Sequence, residues 1–361
     1  MEGKAMKYSA FLIGALWLGL AFWAWIGPTE VFSGTERREL AQFPELSWES
    51  IDEGSFMSDF EDYTLDQFPA RDGFRRLKAM FHYGVLRQLD NHGIYLSQGH
   101  AVQLEYPINT QSVDHALGVF RKIAQQYLQD SKIWVGIIPD KNYYVQDGQP
   151  KMDYEALLQK IATEMDYAEY ISLTDVLSLE DYYRTDTHWR QENLRAVAAH
   201  LCQSLGVTQP GEFTVETLER PFYGVYYGQA ALPMQPDTLR LLHNSELDGC
   251  RVYNYEKNAY TGVYDMEKAQ GKDMYETFLS GPVSLLTVEN PQVSNGKELI
   301  LFRDSFGSSL APLLAQGYEK ITLVDVRYLP SAMLGRLLDF HGQDVLFLYS
   351  TLILNNSFQM Q

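Results

Sequence analysis

Three short apolar runs near the C-terminus constrain this chain more than any other feature. ELILFRDS (298–305), KITLVDV (320–326) and DVLFLYS (344–350) each read as a strand, and the segments between them, 308–316 and 331–340, carry helical spacing. Near-continuous apolar strands alternating with helices predict a mostly parallel sheet, covered by helices on both faces. KIWVGIIP (132–139) reads as another buried strand ending in a turn, and 170–175 is a candidate neighbour. GIYLSQG (93–99) has a short strand pattern, and helices are predicted over 114–128, 151–165 and from Trp189 onward through Leu201. Residues 210–295 are richer in Gly, Tyr and Pro and read as a long irregular insertion or a small lobe.

The N-terminus imposes a second constraint. Tyr8 to Thr29 carries no charge over 22 residues. As a helix it spans about 33 Å, enough for a bilayer core. Lys4 and Lys7 precede it, and Trp23 and Trp25 lie near its far end, where indole rings suit the interface. A cleaved signal peptide is the alternative, although its apolar region is usually shorter. Either way the body of the chain is expected outside the cytoplasm, and the first reading makes it a single-pass protein of the cell membrane. The predicted division is a cytoplasmic stub and anchor (1–29), a stalk or docking segment (30–50) and a catalytic domain (51–361) containing the 210–295 insertion. Within that domain, 51–90 shows helical periodicity divided by Pro69.

Charge narrows the partners. Forty-seven acidic residues oppose twenty-nine basic ones, for a formal net charge of −18. No basic stripe suited to nucleic acid is visible, and DGFRRLK (72–78) reads as an ordinary helix face. Of the two cysteines, Cys202 sits on the apolar side of a predicted helix and reads as a buried thiol. A disulfide to Cys250 stays open on sequence alone.

In a parallel sheet, reactive groups gather at the C-terminal strand ends. Ser305 lies there, at a strand-to-helix turn that can expose its hydroxyl beside backbone N–H groups. A helix-capping serine is the plain alternative. A serine nucleophile needs a base, and the base an orienting carboxylate. YYRTDTHWR (182–190) offers both, because Asp186 and His188 are two apart and point the same way on an extended segment. The same pair could bind zinc, but no third ligand is visible. Lys141, which closes a strand, Arg184 and Arg303 are further site candidates, with a solvated surface position the plainer reading of Lys141. Tyr223, Tyr226 and Tyr227 offer faces for sugar rings or packing for the insertion.

DTHW resembles the Asp-x-His-Trp signature of DHHW proteins and of alginate O-acetylation proteins of the AlgX and AlgJ type. TERRELAQFP, FEDYTLDQFPARDGFRRLK, IPDKNYYV and RDSFGSSLAPLL resemble further segments of these proteins in the same order, over about residues 35–355. The resemblance implies an α/β, SGNH hydrolase-like fold with circularly permuted motif order, the Asp-x-His pair preceding the serine. By position it implies Ser305 as nucleophile, His188 as base and Asp186 as its orienting residue. Thr187 stands where the name motif has its first histidine, and Arg303 where the simplest GDSL pattern has glycine. Asp304 reads as a turn-stabilising carboxylate.

The implied function is O-acetylation of a secreted or cell-surface polysaccharide through a seryl ester. A multi-pass membrane O-acyltransferase would supply the acyl group, with no cofactor and no metal. A carbohydrate esterase of the same chemistry, an idle polysaccharide-binding scaffold and a metal hydrolase are the alternatives.

Overall fold

The apolar runs divide by parity. Leu299, Leu301, Leu346 and Leu348 pack into one core, whereas Ile300, Phe302, Val345, Phe347 and Tyr349 pack into another. Side chains on a pleated strand alternate between faces, so a strand apolar throughout must be covered twice. Helices Arg195–Leu205 and Gly307–Leu314 cover the first face, and Thr110–Tyr127 and Tyr154–Glu164 the second.

The computed structural model describes residues 2–361, and the chain divides into two units: Met1–Asn91 with Tyr227–Pro233, and His92–Tyr226 with Met234–Gln361. The second unit holds an eight-stranded sheet. Across it the strands run Ala259–Thr261, Arg251–Asn254, Leu285–Glu289, Lys320–Val324, Glu298–Arg303, Asp344–Ser350, Ile133–Ile138 and Glu169–Ile171. The last five are mutually parallel, and each of the first three runs antiparallel to its neighbours. Those three belong to the segment expected as an insertion. Strands of three to five residues are too short to show a period, which hid their place in the sheet. The same segment forms a hairpin, Thr214–Phe222 against Asp237–His243.

Strand order locates the reactive end. Glu298–Arg303 connects outward to Lys320–Val324, and Ile133–Ile138 connects the opposite way to Glu169–Ile171, with Asp344–Ser350 between them. Open α/β sheets place ligands beyond the strand C-termini at such a reversal. Two buried carboxylates tie those ends together. Asp304 Oδ2 accepts from the Ser350 N–H at 2.7 Å, and Asp140 Oδ2 accepts from the Thr351 hydroxyl at 2.8 Å.

In the first unit, the helix Glu2–Ile26 contains a 21-residue apolar stretch, Met6–Ile26, long enough to cross a membrane. Beyond the short helix Trp48–Asp52 come two longer ones, Ser55–Asp66 and Arg71–Met80, the second continuing through a wide turn, Phe81–Val85. Glu36 pairs with Arg38, Arg71 and Arg75, and Asp66 with Arg38 and Arg71, joining the segment after the apolar helix to both of the longer helices.

Candidate active site

The strand Glu298–Arg303 ends in a turn that Asp304 holds in place. Its fully buried carboxylate accepts from the Phe306 N–H (3.0 Å) as well as from Ser350, and its carbonyl accepts from the Gly307 N–H (3.1 Å). The turn is tight at Gly307, where a Cβ would lie 2.8 Å from the Arg303 Cβ. The helix that follows has Phe306 at its N-cap and no side-chain cap. The Ser305 hydroxyl therefore does not cap it, but lies half-buried, 2.7 Å from His188 Nε2.

His188 comes from a closed loop. A bridge between Tyr182 and Trp189 shuts it, and the Tyr183 N–H donates to the His188 carbonyl at 3.0 Å. Inside, Asp186 Oδ1 accepts from the His188 N–H (3.0 Å) and faces Nδ1 at 2.6 Å. An ionised carboxylate only accepts, so Nδ1 carries the proton and Nε2 is left to accept from Ser305. Asp186 Oδ2 accepts from the Val225 N–H at 2.8 Å. The chain reaches that position only because residue 224 is glycine, since a Cβ there would sit 2.2 Å from the Asp186 Cβ. Asp186 is completely buried and accepts hydrogen bonds at both oxygens, as a buried charge requires.

A second set of contacts holds the imidazole against the serine. The Tyr275 ring stacks on His188 with centroids 3.7 Å apart and 7° between planes. Its hydroxyl meets Ser309 Oγ at 2.9 Å, and Trp189 Nε1 donates to that same oxygen at 2.9 Å and to the Phe306 carbonyl at 3.1 Å. Gln191 Nε2 donates to the Ser309 carbonyl at 3.0 Å. Ser309, one helical turn beyond Ser305, is thus the point where three separate segments meet.

The other sequence candidates fall elsewhere. Lys141 is buried, contrary to its reading as a solvated surface residue. Its Nζ donates to the Tyr183 carbonyl at 2.9 Å and lies 4.9 Å from the Tyr226 ring centroid. It therefore packs beneath the loop that carries Asp186 and His188. Tyr226 is buried and donates to Thr187 Oγ1 at 3.0 Å, Tyr223 is exposed, and Tyr227 belongs to the first unit, where Arg76 lies over its ring. The Arg184 N–H donates to Asp237 at 2.9 Å while its side chain is exposed. Arg303 is fully buried behind the turn, donating to the Val283 carbonyl at 3.2 Å and 3.7 Å from Asp325. Burial lowers its pKa, and Asp325 pulls it back up. Cys202 and Cys250 are both buried free thiols, and Cys250 Sγ donates to the Glu246 carbonyl at 3.3 Å. Among the described residues, no group of three or more His, Cys, Asp or Glu is placed to hold a metal ion.

Burial pushes the Lys141 ammonium down to about 7, against the pull of Asp186, Asp237 and Asp140. Unfolded, a lysine titrates near about 10.4. Between these values the unfolded chain binds more protons, so this residue's contribution to stability rises with pH. Relative to Lys141→Met, the wild type should gain up to about 1.4 kcal/mol per pH unit across that window. Urea midpoints at pH 7, 8 and 9 measure it, and a constant gap would show that the lysine does not titrate there.

Known proteins carry related features. Residues 178–324 match the family model described as DHHW protein. A DHHW family protein from Eubacterium siraeum superposes with a TM-score of 0.60 at 20% identity, over 73% of this chain and 93% of its own. Bacillus cereus PatB1, solved with a sulfonyl adduct, superposes with a TM-score of 0.59 at 14% identity, over 72% and 95%. The O-acetyltransferase domain of Pseudomonas putida AlgJ gives a TM-score of 0.44 at 14% identity, over 73% and 92%. No curated protein matches the chain. The first two superpositions show that the fold, an α/β arrangement on a mostly parallel sheet, is shared with these proteins, and the relation to DHHW proteins stands on both the family model and the structures.

Proposed function

We propose that the chain is a membrane-anchored O-acyltransferase acting on a secreted or cell-surface polysaccharide through an ester on Ser305. The observation that carries this is the continuous relay from Asp186 through His188 to Ser305, with links of 2.6 and 2.7 Å. Both fall within hydrogen-bond reach for a base and its nucleophile. The stacked Tyr275 ring supports it further, because an aromatic face favours the imidazolium that forms when His188 takes a proton.

In the proposed reaction, Ser305 Oγ attacks the donor's acyl carbonyl while His188 Nε2 accepts its proton. Asp186 stays ionised and stabilises the imidazolium. The N–H groups of Phe306 and Gly307 are committed to Asp304, whereas that of Ser305 donates to no partner among the described residues and is the first candidate to face the oxyanion. Collapse expels the leaving group with the proton from His188. A sugar hydroxyl then gives its proton to His188, attacks the seryl ester and carries the acyl group away, restoring Ser305. The acyl supplier is a multi-pass membrane acyltransferase, on the resemblance alone. The anchor is Met6–Ile26, with residues 30–361 extracytoplasmic.

Intact-mass and peptide mass spectrometry after treatment with 4-nitrophenyl acetate tests the reading. One acetyl group is expected, on the Ser305 peptide, and a sulfonyl fluoride should block it. Added polysaccharide should discharge the ester faster than water does. Discharge by water alone would make the protein an esterase, and an unlabelled Ser305 would remove the mechanism.

A further inference from the structure

The helix Arg71–Met80 and the turn Phe81–Val85 expose what a folded domain normally covers. Phe74, Leu77, Met80, Phe81, Val85 and Leu86 are 47–66% exposed. Phe74, Leu77 and Phe81 recur at helical spacing, so they form one face. Apolar residues contiguous on a surface mark an interaction site.

The charges around this face are of one sign. Arg71–Arg87 holds five basic residues and a single acidic one, Asp72, in a chain whose net charge is −18. Arg71 and Arg75 are taken up by Glu36 and Asp66, and the Thr35 hydroxyl donates to Asp72. Arg76, Lys78 and Arg87 remain exposed, against Asp72 alone, whose half-exposed carboxylate is bonded to Thr35 and lies 3.9 Å from both Arg71 and Arg75. A helix with an apolar face and basic flanks suits the surface of an anionic bilayer, where its apolar side chains sink to the headgroup boundary.

Its position in the unit agrees. A cavity of about 390 Å³ has Trp23, Ala24 and Gly27 at the end of the apolar span on one wall, and Phe68, Ala70 and Gly73 on another. The Glu30 N–H donates to Gln67 Oε1 at 2.9 Å, and Gln67 Nε2 donates to the Glu30 carbonyl at 2.8 Å. The amphipathic helix therefore starts beside the outer end of the span, at the depth where interfacial residues sit.

We infer that the Phe74–Leu86 face lies in the interface of an anionic phospholipid bilayer, holding the first unit against the membrane that Met6–Ile26 crosses. This rests on the reading of Met6–Ile26 as a span, which co-flotation of the full-length chain with vesicles reports separately.

For the face itself, an environment-sensitive fluorophore is attached to Leu77→Cys, Phe81→Cys or, as control, Gln125→Cys on an exposed helix position of the second unit. Burial pushes the native Cys202 and Cys250 thiols up to about 12, so they stay unlabelled at neutral pH. Each full-length protein is reconstituted into phosphatidylcholine–phosphatidylglycerol vesicles containing shallow nitroxide lipids. The expected result is blue-shifted emission at 77 and 81, with roughly threefold more quenching than at the control. Reversing Arg76, Lys78 and Arg87 to glutamate should weaken the quenching, as should vesicles lacking phosphatidylglycerol. Water-like emission at 77 and 81 in protein that floats with the vesicles would overturn the assignment and leave the face to a protein partner.

Discussion

Replacing Ser305 with alanine should abolish acyl transfer while leaving the fold nearly as stable as before. The turn does not depend on the hydroxyl, because Asp304 holds the backbone and Phe306 occupies the helix N-cap. The lost contact is one hydrogen bond to His188, worth about 1 kcal/mol or less at a half-buried site. The lost chemistry is much larger, since the alanine variant has no oxygen on which to carry the acyl group. A fall of about 10⁴-fold or more in kcat is expected, with glycan affinity unchanged. The double variant with His188→Ala should be scarcely worse than the single, because base and nucleophile act as one unit. Transfer rates, glycan affinity and denaturant midpoints on the three variants give the answer. Near-normal transfer by Ser305→Ala would overturn the assignment of the nucleophile.

Gly224→Ala should damage both stability and activity, although residue 224 carries no chemistry. The added Cβ would fall 2.2 Å from the Asp186 Cβ, 2.4 Å from its Cα and 2.5 Å from its N. Two of these three atoms are backbone, so no rotamer change relieves the clash. Either Asp186 moves or the 224–225 segment lifts away and withdraws the Val225 N–H from the carboxylate. The fold should lose about 1–3 kcal/mol, the usual cost of overpacking. Activity should fall about a hundredfold, the scale set by a misplacement of about 1 Å. KM should change less than kcat, because the disturbance is behind the imidazole. A variant with wild-type kcat would show that Asp186 does not need this seat.

The parts legible in the sequence were those whose signal is local. Asp186 and His188 stand two apart, and Ser305 ends a strand apolar enough to be recognised on its own. The unbroken apolar run from Leu299 to Phe302 made the doubly covered sheet legible as well. Tyr275, Gly224 and Ser309 were not, because each acts through contacts 34 to 120 positions away and belongs to no periodic pattern. The strands Arg251–Asn254 and Ala259–Thr261 escaped for a different reason. They form the sheet's antiparallel margin, where burial is partial and apolar alternation fades. Lys141 misled because lysine is almost never buried unpaired, and the Tyr183 carbonyl and Tyr226 ring that receive it come from distant segments.

The relay also has an order in time. Its Asp186–His188 link closes across two residues, whereas the His188–Ser305 link spans 117. The entropic cost of closing a loop grows with its length, and contacts distant in sequence form late. The base and its carboxylate can therefore pre-assemble in their own short loop, while the serine waits for the sheet to be finished and Ser309 to receive Trp189 and Tyr275. A chain still emerging across a membrane would hold a dormant hydroxyl. On the proposed reaction, Ser305 would gain its base only when this contact across 117 residues closes, late in folding.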